Sequence, residues 1–352
     1  MNLDRMILRN FRNYREAEVA FAPGINLILG SNGQGKTNLL EAIHVVSTGR
    51  SFRTHRLSDL ILQGERFFFI EAYFHKGAIA QSIKIYYDET TRRVQYNQTS
   101  FPHLANLLGI LPSVFLSPDD LLLVSGSPAD RRRFLDLNIA QIDPLYVHHL
   151  SRYFRAMKQR NHVLRSPEES VLSAFEETMA QSATYLIHKR QEMTRLLEEP
   201  TAEWLSRLSG ARDQLSLIYS SSLHQSDYRK QWERMRPKEI QHKATLVGPH
   251  RDDLEILLSG KRARQFSSEG QKRSSITALR LAEWRRMHEL IGHPPLLAID
   301  DFGIQLDALR QSALKHHLGE FGQVFLTSPL PIEELSQGYA LHVQEGQVRG
   351  TL

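Results

Sequence analysis

Cysteine is absent from the 352-residue chain, which excludes a disulfide framework and any thiolate metal site. The sixteen histidines include no His-Glu-x-x-His or similar ligand spacing, and the pairs His148-His149 and His316-His317 read as surface residues. Long apolar runs are also missing. Phe67 to Ile70, Leu121 to Val124 and Leu296 to Ile299 are strand-sized, well short of the roughly 18 residues that a membrane span requires. The first residues carry scattered charges and no continuous apolar stretch, so no secretory signal is expected and the cytoplasm is the expected location. A strong excess of either charge is lacking too, with 44 Lys plus Arg against 39 Asp plus Glu, a formal charge of +5. The bases nevertheless cluster, as at Arg50, Arg53 and Arg56, at Arg131, Arg132 and Arg133, at Arg152, Arg155, Lys158 and Arg160, at Lys261, Arg262 and Arg264, and at Lys272 and Arg273. Such clusters suit a polyanion-binding face as well as an ordinary solvated surface.

The most specific element present is Gly30-Ser31-Asn32-Gly33-Gln34-Gly35-Lys36-Thr37, which satisfies the phosphate-loop pattern G-x-x-x-x-G-K-[ST] in full. Ile25 to Leu29 before it reads as a strand, and Leu39, Leu40, Ile43 and Val46 after it recur at helical spacing. The glycines allow a tight turn that aims backbone N–H groups at phosphates, and the helix start adds unpaired donors. Lys36 supplies an ammonium for the β- and γ-phosphates, and the Thr37 hydroxyl a ligand for Mg²⁺. The loop alone does not decide between ATP and GTP.

A second metal-site carboxylate is expected at the end of the strand Leu296-Leu297-Ala298-Ile299, where Asp300 would help hold Mg²⁺ and Asp301 would act as general base. Two acids merely ending a strand are the alternative. Roughly 30 residues upstream, Ser268-Glu269-Gly270-Gln271 opens a helix and resembles the signature sequence of ABC ATPases, although by itself it also reads as a plain helix start. In that superfamily the signature of one subunit caps the γ-phosphate held by another, which makes Ser268, Gly270 and Gln271 nucleotide-binding candidates. Gly303 to Asp307 falls where the superfamily has its D-loop, and Gln323 to Ser328 reads as a core strand at the position of the switch element. Alternation about Glu345-Gly346 predicts a hairpin.

About 230 residues separate Thr37 from Ser268, so a second or inserted domain is expected. Within it Ser166-Pro167-Glu168-Glu169 reads as a capping box. Leu172, Phe175, Met179, Leu186, Met193 and Leu196 then follow an approximate heptad up to Pro200, which is expected to stop a helix of roughly 45–50 Å.

Several stretches taken together resemble the RecF family of bacterial DNA gap-repair proteins along essentially the whole chain. They are Leu8 to Asn13, Gly49 to Arg53, Ser117 to Leu121, Gly126 to Asp136, Lys158 to Asn161 and Gly248 to Leu254. The resemblance implies an α/β P-loop NTPase fold of the ABC or Rad50-like head type with a second, mainly helical lobe. It places the ATPase lobe at about 1–115 plus 245–352, with 266–273 near the lobe interface, and the second lobe at about 116–244. It further implies ATP and Mg²⁺ as ligands, an ATP-dependent homodimer, and slow ATP hydrolysis coupled to DNA. The DNA would be double-stranded, gapped, or a single-strand/double-strand junction. RecO and RecR would be partners in placing RecA, with links to replication and the SOS response. On the family pattern Arg131 to Arg133 and Arg160 would lie near the nucleotide or the DNA, although as bare sequence they read equally as helix-surface residues. The Gly248 to Leu254 acids would border the dimer or DNA surface or else be structural. Where the family usually has Ser-Glu-Leu-Asp after the paired acids, this chain has Ile304-Gln305-Leu306-Asp307, which implies altered timing of hydrolysis. A non-catalytic scaffold that uses ATP to dimerise, and a transport ATPase serving a membrane permease, are the competing functions.

Overall fold

The computed structural model describes residues 1–210, 213–223, 227–302 and 308–351. Two sheets organise its amino-terminal and carboxy-terminal parts. The first is antiparallel and begins with the hairpin Asn2–Phe11/Tyr14–Ala20; Phe67–Lys76, Ile79–Asp88, Arg92–Tyr96 and Thr99–Phe101 follow as a meander. Alternate residues such as Leu3, Phe68, Ile70 and Ile83 point inward, as period-two patterning requires.

The second sheet has the order Gln347–Thr351, Tyr339–Gln344, Ile25–Leu29, Val324–Ser328, Leu296–Ile299, Ser113–Leu116. All neighbours are parallel except the terminal hairpin, which turns at Glu345-Gly346 as expected. Its central strands are buried on both faces, and alternation divides their side chains between two cores. Ile28, Leu296, Ala298 and Phe325 join the antiparallel sheet and the helix Lys36–Thr48. Leu27, Leu297, Ile299 and Leu326 pack with the helix Glu269–Ile291 and the helical part of the chain. A sheet covered on both faces in this way explains why its strands read as unbroken apolar runs.

The helices Pro128–Ile142, Pro144–Val163, Glu169–Ser209 and Tyr228–His242 form the rest, around Tyr146, Tyr153, Met179, Leu186 and Trp232. They carry a three-stranded antiparallel sheet of Leu215–Ser220, Asp253–Leu258 and Lys261–Arg262, which no sequence pattern had suggested. Among the described residues no helix is long and apolar enough to cross a membrane.

Two local expectations fail. Pro200 does not end the long helix, which runs 41 residues from Glu169 to Ser209, about 60 Å at the usual rise. Proline removes the donor that would satisfy the carbonyl four residues earlier. Here that carbonyl, on Leu196, accepts a hydrogen bond of 2.6 Å from Arg286 Nε in the neighbouring helix, so the helix continues. The capping box at Ser166 does not form either. The Ser166 N–H donates back to the Val163 carbonyl as part of the preceding turn, and the helix starts three residues later with Glu168 at its N-cap.

Candidate functional site

The phosphate loop leaves the carboxyl end of Ile25–Leu29, where ligands of parallel sheets bind. Gly35, the N-cap of the following helix, has φ of 120°. A Cβ there would stand 2.7 Å from Asn13 Nδ2, and one on Gly30 only 2.3 Å from the Val343 carbonyl oxygen. The loop is therefore clamped by both chain ends. Asn13 Nδ2 donates to the Gln34 carbonyl at 2.8 Å and Tyr14 Oη to that of Gly35 at 2.8 Å. The carboxy-terminal hairpin reaches it too, through the Glu345 N–H donating to Gln34 Oε1 at 2.7 Å. Gln34 thus faces a structural partner rather than the cavity.

One strand, Val324–Ser328, separates the loop's strand from Leu296–Ile299, so Thr37 and Asp300 meet above its end. The Thr37 hydroxyl lies 3.0 and 3.1 Å from the two Asp300 carboxylate oxygens. Thr327 Oγ1 donates to Asp300 Oδ1 at 2.7 Å and accepts from the Asp301 N–H at 2.8 Å, fixing both acids through one hydroxyl. Asp301 sits in the left-handed region, φ 51°, a conformation aspartate tolerates better than most residues. Burial, joined by the charge of Asp301, raises the Asp300 pKa above its ordinary value despite the hydroxyl donors. Lys36 donates to the carbonyl oxygens of Gly30 at 2.7 Å and Ser31 at 3.0 Å, and its pKa is lowered by burial.

Asn32, Gly33, Gly35, Lys36, Thr37, Asp300 and Asp301 all line one cavity of about 440 Å³. Its walls also include Asn38 and Asp119, neither of which had been assigned a role from sequence, and Arg53, which the sequence marked only as one of a basic cluster. Asp119 lies within a stretch recognised only by resemblance; Arg53 donates to Asn38 Oδ1 at 2.8 Å. Buried Glu41 holds this side together, taking a bidentate bond from Arg12 at 2.7 and 2.8 Å and a bond from the Ser51 hydroxyl.

The donor set fits a triphosphate with its metal. A hydroxyl and a carboxylate, both hard oxygen ligands, already converge. An ammonium whose hydrogen bonds, among the described residues, go to its own loop is available to move. Among the described residues no group of three or more His, Cys, Asp or Glu could hold a metal, so these two side chains need phosphate oxygens or water to complete a coordination shell.

Ser268, Gly270 and Gln271 do not line this cavity. Ser268 caps the helix Glu269–Ile291 in a reciprocal box with Gln271, at 2.9 and 3.2 Å, and is exposed. Gln271 is further held by its bond to Asp213 at 2.9 Å. Gly303 to Asp307, assigned to the D-loop, lie outside the described residues.

The arginine clusters require correction. Arg160 is fully buried and pairs with Glu176 at 2.9 Å and Glu239 at 2.6 Å, so it reaches neither nucleotide nor DNA. Arg131 is buried against Asp253 at 2.7 Å, and Arg132 donates to the Asp252 carbonyl. Asp252 itself accepts from Tyr219 and Ser222. The acids of the 248–254 segment are therefore structural.

The RecF/RecN/SMC N-terminal domain family matches residues 2–331. The chain is 46% identical over 340 residues to the DNA replication and repair protein RecF of Protochlamydia amoebophila, covering 94% of this chain and 95% of that one. Against the protein of the same name from Chlamydia caviae it is 38% identical over 346 residues, 96% and 94% of the two chains. A solved recombination mediator protein RecF with ATP superposes with a TM-score of 0.92 at 28% identity, over 99% of this chain and 97% of that one. An Smc head domain from Pyrococcus furiosus, solved with the C-terminal domain of ScpA, shares the fold at a TM-score of 0.59 and 17% identity, over 99% and 95% of the chains.

Proposed function

Since this chain belongs to the RecF family of DNA replication and repair proteins, we propose that it is an ATP-switched DNA-binding protein of recombinational repair and replication restart. It closes as a homodimer on ATP at gaps and single-strand/double-strand junctions, helps place RecA there together with RecO and RecR, and lets go after slow hydrolysis. The observation that carries this reading is the division of the phosphate-binding groups. Lys36, Thr37, Asp300 and Asp301 share a cavity, while the exposed Ser268 helix start lies outside it. A helix N-terminus is an anion site in search of an anion, and the cavity of a second copy supplies one.

In this reading Lys36 exchanges its loop carbonyls for β- and γ-phosphate oxygens, and the loop's N–H groups hold the rest of the triphosphate. Thr37 and Asp300 are the residues that would hold Mg²⁺, which when bound neutralises charge developing on the phosphates. Thr327 keeps Asp300 turned toward Thr37 and sets the backbone at Asp301. Asp301 takes the proton of the attacking water. Ser268 and the Gly270 N–H of the partner copy close on the γ-phosphate, with Gln271 holding the turn that presents them. Family membership favours repair over the transport alternative, and Asp301 beside the cavity favours hydrolysis over a non-catalytic scaffold.

Analytical sedimentation with ATP, Mg²⁺ and a gapped duplex tests this. The native chain is expected to dimerise. Lys36→Met is expected to bind no ATP and remain monomeric. Asp301→Asn is expected to bind ATP and stay dimeric, with turnover reduced on the order of 10²–10⁴-fold. A native protein that stays monomeric under saturating nucleotide, or an Asp301→Asn protein with normal turnover, contradicts the reading.

A further inference from the structure

A second cavity, about 480 Å³ in volume, lies on the other side of the Gly49–Arg53 segment from the phosphate loop. Phe52 and Arg53 of that segment face the nucleotide cavity, while Arg50 faces this one. Arg132 and Arg133 of helix Pro128–Ile142 join Arg50 at its rim. Its floor and far wall are apolar, made by Leu108 and by Val147, Leu150 and Phe154 of helix Pro144–Val163. Phe154 is 41% exposed at this edge, so the apolar surface continues outward.

The charges here differ from those elsewhere in the molecule. Arg131 and Arg280 each pair with a carboxylate within 2.7 Å, and Arg190, which lines this cavity too, pairs with Asp136 at 2.8 Å. Among the described residues Arg50, Arg132 and Arg133 make no ion pair within 4 Å; Arg132 and Arg133 donate to the neutral carbonyls of Asp252 and Ser51, with Asp253, Asp136 and Asp252 acting on Arg132, and Asp130 on Arg133, at longer range. Asp136, the acid lining the cavity, is committed to Tyr146 and Arg190. His44 also lines the space, is 5% exposed, and has a buried Nδ1 without a hydrogen-bond partner. Its imidazole is held neutral, its pKa pushed down to about 3 by burial and by Arg280, Arg133 and Arg50. A half-buried cationic rim above an apolar floor, with an unused polar atom, is an arrangement that calls for a ligand.

We propose that this cavity is a docking pocket for an acidic peptide segment of a partner protein, whose carboxylates meet Arg50, Arg132 and Arg133 while an aromatic or aliphatic side chain fills the floor. Charge complementarity selects an anion, and the floor selects a peptide over a nucleic acid. A convex duplex backbone would satisfy the arginines but leave Val147, Leu150 and Phe154 wet. Because the Gly49–Arg53 segment walls both cavities, a peptide bound at Arg50 also sits two positions along the chain from Phe52, which faces the nucleotide cavity.

The test is fluorescence anisotropy of a labelled Asp-Asp-Asp-Leu-Phe peptide with a free carboxylate, titrated with the full chain. Saturable binding is expected, weakened about tenfold or more by Arg50→Glu and by Arg133→Glu. Leu150→Trp, which fills the floor, should do the same, with unchanged melting and ATP binding showing that it is folded. Arg155→Glu, an exposed change outside the pocket, should leave binding as it was. Replacing the aspartates by asparagine, or Leu-Phe by Gly-Gly, should each abolish the interaction. Absence of binding, equal binding of the asparagine peptide, or an equal loss with Arg155→Glu overturns the proposal. So does the finding that Arg50→Glu weakens duplex DNA while no peptide binds. Lys36→Met should retain peptide binding, which separates failure of this pocket from failure of the nucleotide reading.

Discussion

Two buried polar clusters, one around Arg160 and one around Asp300, are built on opposite plans. In the helical part, Arg160 gives bonds to Glu176, Glu239 and Thr245, and Arg236 adds a second cation on Glu176 at 2.5 Å. Glu239 also accepts from the Leu246 N–H, and Thr245 donates to Asn161. Two cations face two anions and the remaining polar atoms find partners, so the cluster is closed. Around Asp300 two carboxylates and one ammonium share a cavity, with the Thr37 and Thr327 hydroxyls on Asp300 and the Gly30 and Ser31 carbonyls holding Lys36. That cluster faces a cavity of about 440 Å³ and so stays open to a ligand. Burial of charge is common to both; satisfaction is what separates architecture from a binding site.

The comparison is broken most severely at the closed cluster. Arg160→Ala leaves Glu176 and Glu239 buried with one cation fewer, and a loss of about 3–5 kcal/mol is expected in equilibrium denaturation. A loss below about 1 kcal/mol would mean that water replaces the guanidinium and that the cluster is not closed. ATP binding by any protein that remains folded should be unchanged, because no member of this cluster lines the nucleotide cavity.

A smaller effect is expected where the long helix passes Pro200. Arg286→Ala removes the donor to the Leu196 carbonyl, leaving an acceptor unsatisfied at a cost of about 1–3 kcal/mol. In a Pro200→Ala background the new N–H serves that carbonyl, so the same arginine change should cost markedly less. A double-mutant cycle measures the coupling. Additive effects would show that the helix passes its proline without help from Arg286.

What could be read in advance follows from the same distinction. The phosphate loop, the strand ending in Asp300 and Asp301, and the Ser268 helix start are local patterns whose chemistry lies in consecutive residues. Arg160 meets Thr245 across 85 positions and Arg286 meets Leu196 across 90; nothing near Arg160 or Pro200 in the chain announces those partners. The clusters of basic residues therefore looked alike in sequence, although Arg160 is buried and paired while Arg50 lines a cavity with no ion pair among the described residues. Asn13 escaped assignment for a related reason. Its role is to hold the Gln34 carbonyl, a backbone group that any residue presents.

The open cluster can be sharpened by closing it artificially. The Asp300 pKa is raised first by burial and then by the neighbouring charge of Asp301, so ionising it costs more in the folded chain than in the unfolded one. A carboxyl raised in this direction stabilises fully at pH below its unfolded value, and that contribution is lost as pH climbs through the folded value. At neutral pH the ligand-free protein therefore carries a penalty that Asp300→Asn removes. The amide keeps an oxygen for Thr37 and Thr327, and a gain on the order of 1 kcal/mol is expected. The gain should be largest near neutrality and shrink as the pH is lowered into the range where the native acid protonates. The same substitution deletes a proposed Mg²⁺ ligand, so the added stability should come with lost Mg²⁺-dependent ATP hydrolysis. Thermal melting across pH decides it: a variant destabilised at pH 7 would mean that Asp300 is compensated in the ligand-free fold, and that this cluster is as closed as the one around Arg160.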